Sequence, residues 1–260
     1  MRRLTLLLCL VLASLAGHAG EPARFTERSL TLHGTTYRYR VFVPDGWTAK
    51  RAWPVALFLH GSGERGSDNR TQLGQGLPPW LAEHGGDFPA VVVIPQAPAG
   101  SRWNGEAEQM ALAALDDSIR EWHGDRRRLY LTGLSMGGYG AWQIALDHPG
   151  MFAAAAIVCG GIRHPNDNAD LRVQGIPGDA TDPYAWVAAH MGTLPVWLFH
   201  GALDDVVPPE ESRRMHAALQ ARGTEVRYTE FPGVNHGSWQ AAYATKELWP
   251  WLLAHRLPAR

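Results

Sequence analysis

Cysteine is scarce in this chain of 260 residues: Cys9 and Cys159 are the whole complement. Cys9 falls inside an apolar N-terminal run, so a chain that loses that run keeps one thiol and can form no internal disulfide. Cys9 also lies too deep in the run, without the small residue expected beside it, to serve as a lipid attachment site. Long hydrophobic stretches are missing too, since the most apolar segment, residues 4–16, is too short to span a bilayer comfortably. Charge of one sign is not in excess. The 24 Lys and Arg face 25 Asp and Glu, and losing the first 19 residues removes Arg2 and Arg3 without any acid, which leaves a net charge of −3. That balance excludes a polyanion such as nucleic acid as a partner. The one short basic cluster, residues 126–128, reads as a solvated turn entering a strand. No Cys/His cluster and no dinucleotide fingerprint occurs, so neither a metal nor an organic cofactor is implied. Repeats and low-complexity segments are absent as well.

What is present begins with a leader. Met1, Arg2 and Arg3 precede the apolar run, and small residues follow at 17–20, the pattern of a signal peptide cut after Ala19 or Ala16. We therefore expect residues 1–19 to be a removable leader, residues 20–260 to form one catalytic domain, and the protein to be periplasmic or secreted, without stable membrane insertion. Residues 29–33 and 37–43 alternate apolar and polar side chains around Gly34, which predicts an antiparallel hairpin. Residues 55–59, 90–94 and 129–131 are instead nearly continuous apolar runs, as buried parallel strands require. Helical spacing follows at 107–122 and 137–146. Strands are expected at 153–159, 196–200 and 226–231, a helix at 210–222, and a last helix at 239–255 interrupted at Pro250. The class is α/β, with a mostly parallel central sheet flanked by helices after an N-terminal hairpin. Such sheets bind ligands beyond the carboxyl ends of their strands, in loops that start here at His60, Pro95, Gly133, His200 and Pro232. The polar stretch 160–195, with a possible short helix at 184–190, either caps one side of that pocket or is a surface excursion.

Gly133-Leu134-Ser135-Met136-Gly137 stands between a strand and a helix, where a nucleophilic serine must be raised out of a sheet. A serine hydroxyl is a weak nucleophile at neutral pH and needs an imidazole base and an acid to fix the ring. His236 lies in a Gly-rich turn after the last strand and suits the base, whereas His60 suits a structural role. The acid is Asp204 or Asp205, which spacing alone leaves open. Glu210 and Glu211 read as favourable charges at a helix N-terminus. The oxyanion donors would be the backbone N–H of Met136 and, from His60-Gly61-Ser62-Gly63, that of Ser62. Glu64 and Arg65 are placed to pair and stiffen this loop. Of the 11 Trp, Trp103 and Trp239 fall in pocket-bordering loops, where they would contact an aromatic acyl group or a sugar, or else simply pack in the core.

With these residues in place, the chain resembles the α/β-hydrolase superfamily over its mature length. More narrowly, it is similar to bacterial serine esterases grouped with prolyl-oligopeptidase-like enzymes, dienelactone hydrolase and feruloyl or polyhydroxybutyrate esterases. The segments that carry the narrower likeness are residues 59–66, Pro95-Gln96 with Trp103, 133–138, His200-Gly201 through Asp204 to Val207-Pro208, and His236 with Trp239. The resemblance implies Asp204 as the acid, an acyl-enzyme on Ser135, and a small-molecule ester substrate such as feruloyl or acetyl esters of carbohydrates. It leaves the substrate and the oligomeric state open. Peptidase activity and a non-catalytic binding role on the same scaffold are the competing readings.

Overall fold

The computed structural model describes residues 24–163 and 171–259. The expected leader, with Cys9, and part of the 160–195 excursion lie outside the described residues. The chain opens with β1 (Phe25–Leu32) and β2 (Thr35–Phe42), paired antiparallel across a two-residue turn in which His33 and Gly34 both have positive φ, 49° and 83°. That turn twists in the same sense as the strands it joins, which is why so short a loop closes the hairpin. β2 then pairs antiparallel with β4 (Val91–Pro95). β3 (Trp53–Leu59), β5 (Gly124–Leu134), β6 (Ala154–Val158), β7 (Val196–Gly201) and β8 (Val226–Phe231) complete one sheet of order β1-β2-β4-β3-β5-β6-β7-β8, parallel from β4 onwards.

The continuous apolar runs follow from burial on both faces. Val55, Leu57 and Leu59 pack into one core with α2 (Gly105–Glu121), α3 (Met136–Asp147), α4 (Pro183–His190) and α5 (Glu210–Ala221). Ala56 and Phe58 enter a second core on the opposite face, with α1 (Leu77–His84), α6 (Trp239–Tyr243) and α7 (Leu248–Ala254). Side chains alternate across a strand, so a strand between two helix layers needs apolar residues at every position.

Three expectations are corrected. β5 begins at Gly124, so Arg126, Arg127 and Arg128 lie within a strand and not in a turn before it. Their charges are met at the strand's open end, where Arg128 pairs with Asp125 at 2.8 Å, Arg126 pairs with Asp116, and Arg127 Nε donates to Leu257 O at 2.8 Å. The C-terminal helical stretch breaks at 244–247, between α6 and α7, and Pro250 sits inside the first turn of α7. A proline there lacks only an N–H that has no partner within the helix. The same reason explains α1, which the sequence reading missed because Pro78 and Pro79 resemble a loop. They occupy its first turn.

The position of α3 is set by glycine. A Cβ on Gly137 would lie 1.9 Å from Leu59 O, and one on Gly138 would lie 2.6 Å from the Gly160 Cα, so the helix start rests directly on the ends of β3 and the β6 loop. Gly137→Ala forces that helix off the sheet. We expect a loss of about 3 kcal/mol or more in urea unfolding, as for severe overpacking of a core.

Candidate active site

Ser135 joins β5 to α3 with φ 51° and ψ −119°, a conformation that costs a non-glycine residue about 1–3 kcal/mol. The surroundings hold it there: Ser135 N–H donates to Val158 O at 3.0 Å, and Ser135 O accepts from the amides of Gly138 and Tyr139 at 2.8 and 3.1 Å. Gly133 and Gly137, which flank the serine in the motif, are not in the left-handed region. Their role is steric, since a Cβ on Gly133 would lie 2.2 Å from Gly137 O. The strained residue of the turn is the serine itself.

Two further loops converge on Ser135. A Cβ on Gly201 would lie 2.2 Å from Asn235 O, so the loop after β7 runs against the loop after β8. This contact brings Asp204 and His236 together. His236 Nε2 lies 2.9 Å from Ser135 Oγ, and its Nδ1 lies 2.8 Å from Asp204 Oδ2. Asp205 is exposed, so the geometry separates the two aspartates that spacing could not.

Asp204 is fully buried and well supplied with donors. Its Oδ1 accepts from the amides of Val206 and Val207 at 2.9 and 2.8 Å. Its Oδ2 also lies 3.2 Å from Nε2 of His200, a residue that sequence reasoning treated as a strand end. His200 Nε2 is 2.8 Å from Val207 O, and its Nδ1 is 2.7 Å from Ser212 Oγ. With two acceptors before it, Nε2 carries the proton, and the ring aims the carboxylate at His236. Burial pushes the Asp204 carboxyl up, but hydrogen bonds from His200, His236 and Val207 outweigh it and hold Asp204 well below the usual carboxylate range. The signal in the sequence was His200 four residues before the acid.

The loop expected to supply the second oxyanion donor is shaped by His60, which is wholly buried. Its Nε2 accepts from Ala97 N–H at 3.0 Å, which leaves Nδ1 as the protonated nitrogen, donating to Gly61 O at 2.6 Å. Burial holds the ring down to about 4, with the Arg65 charge acting in the same direction and the Gly61 hydrogen bond opposing, so it stays neutral and keeps this tautomer at neutral pH. In a trans peptide the carbonyl and the N–H point in opposite directions. Turning Gly61 O towards the ring therefore turns Ser62 N–H away from it. Gly61 itself packs beside the nucleophile, its would-be Cβ 3.8 Å from Ser135 Cβ. Met136 opens α3, where backbone amides lack helical acceptors.

Supports for this loop were only partly foreseen. Gln96 Nε2 donates to Glu64 O and Asp68 Oδ1 at 3.2 and 2.8 Å, and its Oε1 accepts from Asn69 N at 2.7 Å. Glu64 and Arg65 do not pair with each other. Arg65 donates to the carbonyls of Ser62 and Ser101, because its fork reaches the backbone on both sides of the loop. Trp103 is 1% exposed and donates to His60 O at 2.9 Å, so it supports the loop from beneath. Trp239 is half-buried, stands edge-on to His236 with centroids 5.6 Å apart, and donates to Gln75 Oε1. Glu211 does not cap its own helix. Its carboxylate accepts from the amides of Ile162 and Arg163 at 2.7 and 3.0 Å and from Tyr184 O–H, tying the loop after β6 to α5.

Cys159, Asp204 and His236 place three ligand-type atoms within 4.8 Å of one another. Burial pushes the Cys159 thiol up to about 12, which disfavours the thiolate that a metal would need.

A profile of the prolyl oligopeptidase family matches residues 101–255, more than half of the chain. The chain belongs to the prolyl oligopeptidase family. Its fold is that of the α/β-hydrolases: a structure described as a thermostable esterase superposes with a TM-score of 0.72 at 30% identity, covering 90% of this chain and 64% of that one. Among curated proteins, an uncharacterized secreted protein of Arthroderma benhamiae is 30% identical over 213 residues, covering 75% of this chain. A poly(3-hydroxyoctanoate) depolymerase of Pseudomonas fluorescens is 27% identical over 231 residues, covering 82% of this chain and 77% of that protein. The chain spans 22% of the length of the Arthroderma protein.

The Asp204 environment makes a stability prediction. A carboxyl depressed on folding adds stability that is present above its unfolded pKa of about 3.9 and is lost as pH falls towards the folded value. Asp204→Asn should therefore cost about 2–3 kcal/mol in urea unfolding at pH 7, and the gap to the parent protein should narrow below about pH 4. An unchanged gap at both pH values would contradict the account.

Proposed function

We propose that this chain is an exported serine carboxylesterase. The observation that carries the reading is the continuous relay from Asp204 through His236 to Ser135, with contacts of 2.8 and 2.9 Å at a strained strand-to-helix turn. In this mechanism His236 Nε2 takes the Ser135 proton as Oγ attacks the ester carbonyl. The amides of Met136 and Ser62 receive the oxyanion, and Asp204 holds the ring and balances the imidazolium. His236 then gives its proton to the leaving alcohol, and the acyl-enzyme on Ser135 remains. Water activated by the same imidazole releases the acid.

The substrate class within esters is narrower in our reading: feruloyl or acetyl esters of carbohydrates. Support comes from Trp239 at the edge of His236 and from Leu203 and Val206, 64% and 48% exposed, in the loop that carries Asp204. Export rests on the leader pattern at residues 1–19 and agrees with a relative described as secreted. Among the described residues no helix is long and apolar enough to cross a membrane. A peptidase reading draws on the family itself, and it makes the opposite prediction for amides.

The test is hydrolysis of 4-nitrophenyl acetate, methyl ferulate and a prolyl 4-nitroanilide by the mature protein, with Ser135→Ala beside it. We expect ester turnover that falls by about 10⁴-fold or more in the variant, loss of labelling by a fluorophosphonate, and little action on the anilide. Anilide turnover matching the esters would favour the peptidase. Retained turnover in Ser135→Ala would remove the serine mechanism altogether.

A further inference from the structure

Strand β2 outruns its neighbour. Tyr39 stands opposite Pro95, the last residue of β4, so Thr35, Thr36, Tyr37 and Arg38 continue past the carboxyl end of β4, at the end of the sheet where Ser135, Asp204 and His236 lie. Val43 N–H donates to Arg24 O, in register with the Thr35–Leu32 pair, so the odd-numbered residues of β2 turn their backbone groups to β1. In an antiparallel ladder the alternate residues turn theirs the other way. The N–H and C=O of Thr36 and Arg38 therefore point to the side where β4 has ended. A groove of about 420 Å³ occupies that side, walled by residues 35–38 and by Gly66, Ser67, Gln96 and Pro98. Small-molecule sites span about 300–1,000 Å³, so it has room for a ligand.

One wall is fixed and the other keeps its polar groups free. Both ends of the Gln96 amide are bonded to the loop after β3, at Glu64 O, Asp68 Oδ1 and Asn69 N–H, and Gly66 N–H donates to Ala97 O at 2.9 Å. Opposite, Thr36 and Arg38 are exposed, and among the described residues the Arg38 guanidinium has neither an ion pair nor a hydrogen bond. The hydroxyls of Thr35, Thr36 and Ser67 add groups that both donate and accept. An apolar chain in this groove would displace water from these groups and leave them unpaired, whereas a polyhydroxylated chain replaces the hydrogen bonds it removes.

The groove is tied to the reaction centre through the loop after β3, residues 60–76. Its wall at Gly66 lies five residues beyond Gly61, at most about 18 Å along the chain, and Gly61 packs beside Ser135. The same loop meets the turn that carries His236, since Gln75 Oε1 accepts from Trp239 Nε1 at 3.1 Å and Trp239 stands edge-on to His236. The leaving alcohol must face His236 to receive its proton. We propose that the groove holds sugar units of a glycan substrate, beyond the unit that bears the ester. The proposal rests on the carbohydrate-ester reading above and assigns a place to the rest of the glycan. Binding of such remote units supplies free energy for holding the ester at Ser135.

Calorimetry with ester-free xylohexaose and hexagalacturonate measures binding of a neutral and of an acidic glycan, the second suited to a free guanidinium. Arg38→Ala removes the cation, and Thr36→Trp fills the groove from an exposed strand position. We expect saturable binding of at least one chain, weakened about tenfold or more in each variant, as loss of one or two net hydrogen bonds gives. Acetyl esters of that chain with two and with six sugar units are then compared by kcat/KM. The parent protein should favour the longer ester by about tenfold and each variant by less. The shorter ester should turn over equally in all three proteins, which shows that folding and the relay are intact. Failure of both chains to bind, binding that both variants leave unchanged, or equal kcat/KM for the two lengths in the parent protein overturns the proposal. Binding that the variants weaken, without turnover of either ester, would keep the groove and remove the esterase reading.

Discussion

The arrangement depends first on a contact that contains no side chain. The start of α3 lies against the end of β3 so closely that a methyl group on Gly137 would meet Leu59 O at 1.9 Å. This approach brings Met136 N–H, Ser135 and the Gly61-Ser62 peptide into one small region, because Gly61 continues the strand on which the helix rests. It also forces the left-handed turn at Ser135, whose strain is carried by backbone hydrogen bonds to Val158, Gly138 and Tyr139. A site on a helix and a strand held by backbone contact is stiffer than one on loops alone. The region around Met136 N–H and the Gly61-Ser62 peptide thus inherits the rigidity of the sheet.

Asp204 and His236 arrive differently, on two loops that touch through Gly201 and Asn235. Buried polar groups make this side specific. Asp204 is surrounded by four donors, and each fixes one lone-pair direction, so the carboxylate has a single orientation. His200 is oriented in turn by Ser212 on α5, which connects the acid to the helix layer. The two imidazoles outside the relay do related work: His60 and His200 each set the direction of one peptide or carboxylate, and neither needs to exchange a proton to do so. Histidine suits both places because one ring nitrogen donates while the other accepts.

Much of this was legible in the sequence, for identifiable reasons. Strands buried on both faces produce apolar runs that cannot be hidden, and the glycines around Ser135 mark close backbone approach. Cooperation between distant residues was harder to read. Asp204 and Asp205 differ by one position, and only the turn made by the Val206 and Val207 amides shows which carboxylate points inward. The position of Glu211 favours a helix-end charge, yet its carboxylate accepts from Ile162 and Arg163, 49 and 48 residues away in the chain. The α1 helix was missed because proline is a breaker in most contexts and harmless in a first turn. Glu64 and Arg65, adjacent in sequence, bond to backbone groups and not to each other.

The two sides of the nucleophile also differ in what they offer a substrate. On the His236 side, Trp239, Leu203 and Val206 present apolar and aromatic surface with considerable exposure. At the loop after β3, Arg65 and Arg102 both donate to the Ser101 carbonyl and present polar, cationic surface. In the proposed esterase reading the proton donor for the leaving group lies on the His236 side only. Chemistry at the carbonyl requires the rigid centre and is indifferent to either flank. Selectivity in that reading therefore rests with side chains that do not touch the reacting atoms, and these can change while the relay stays intact.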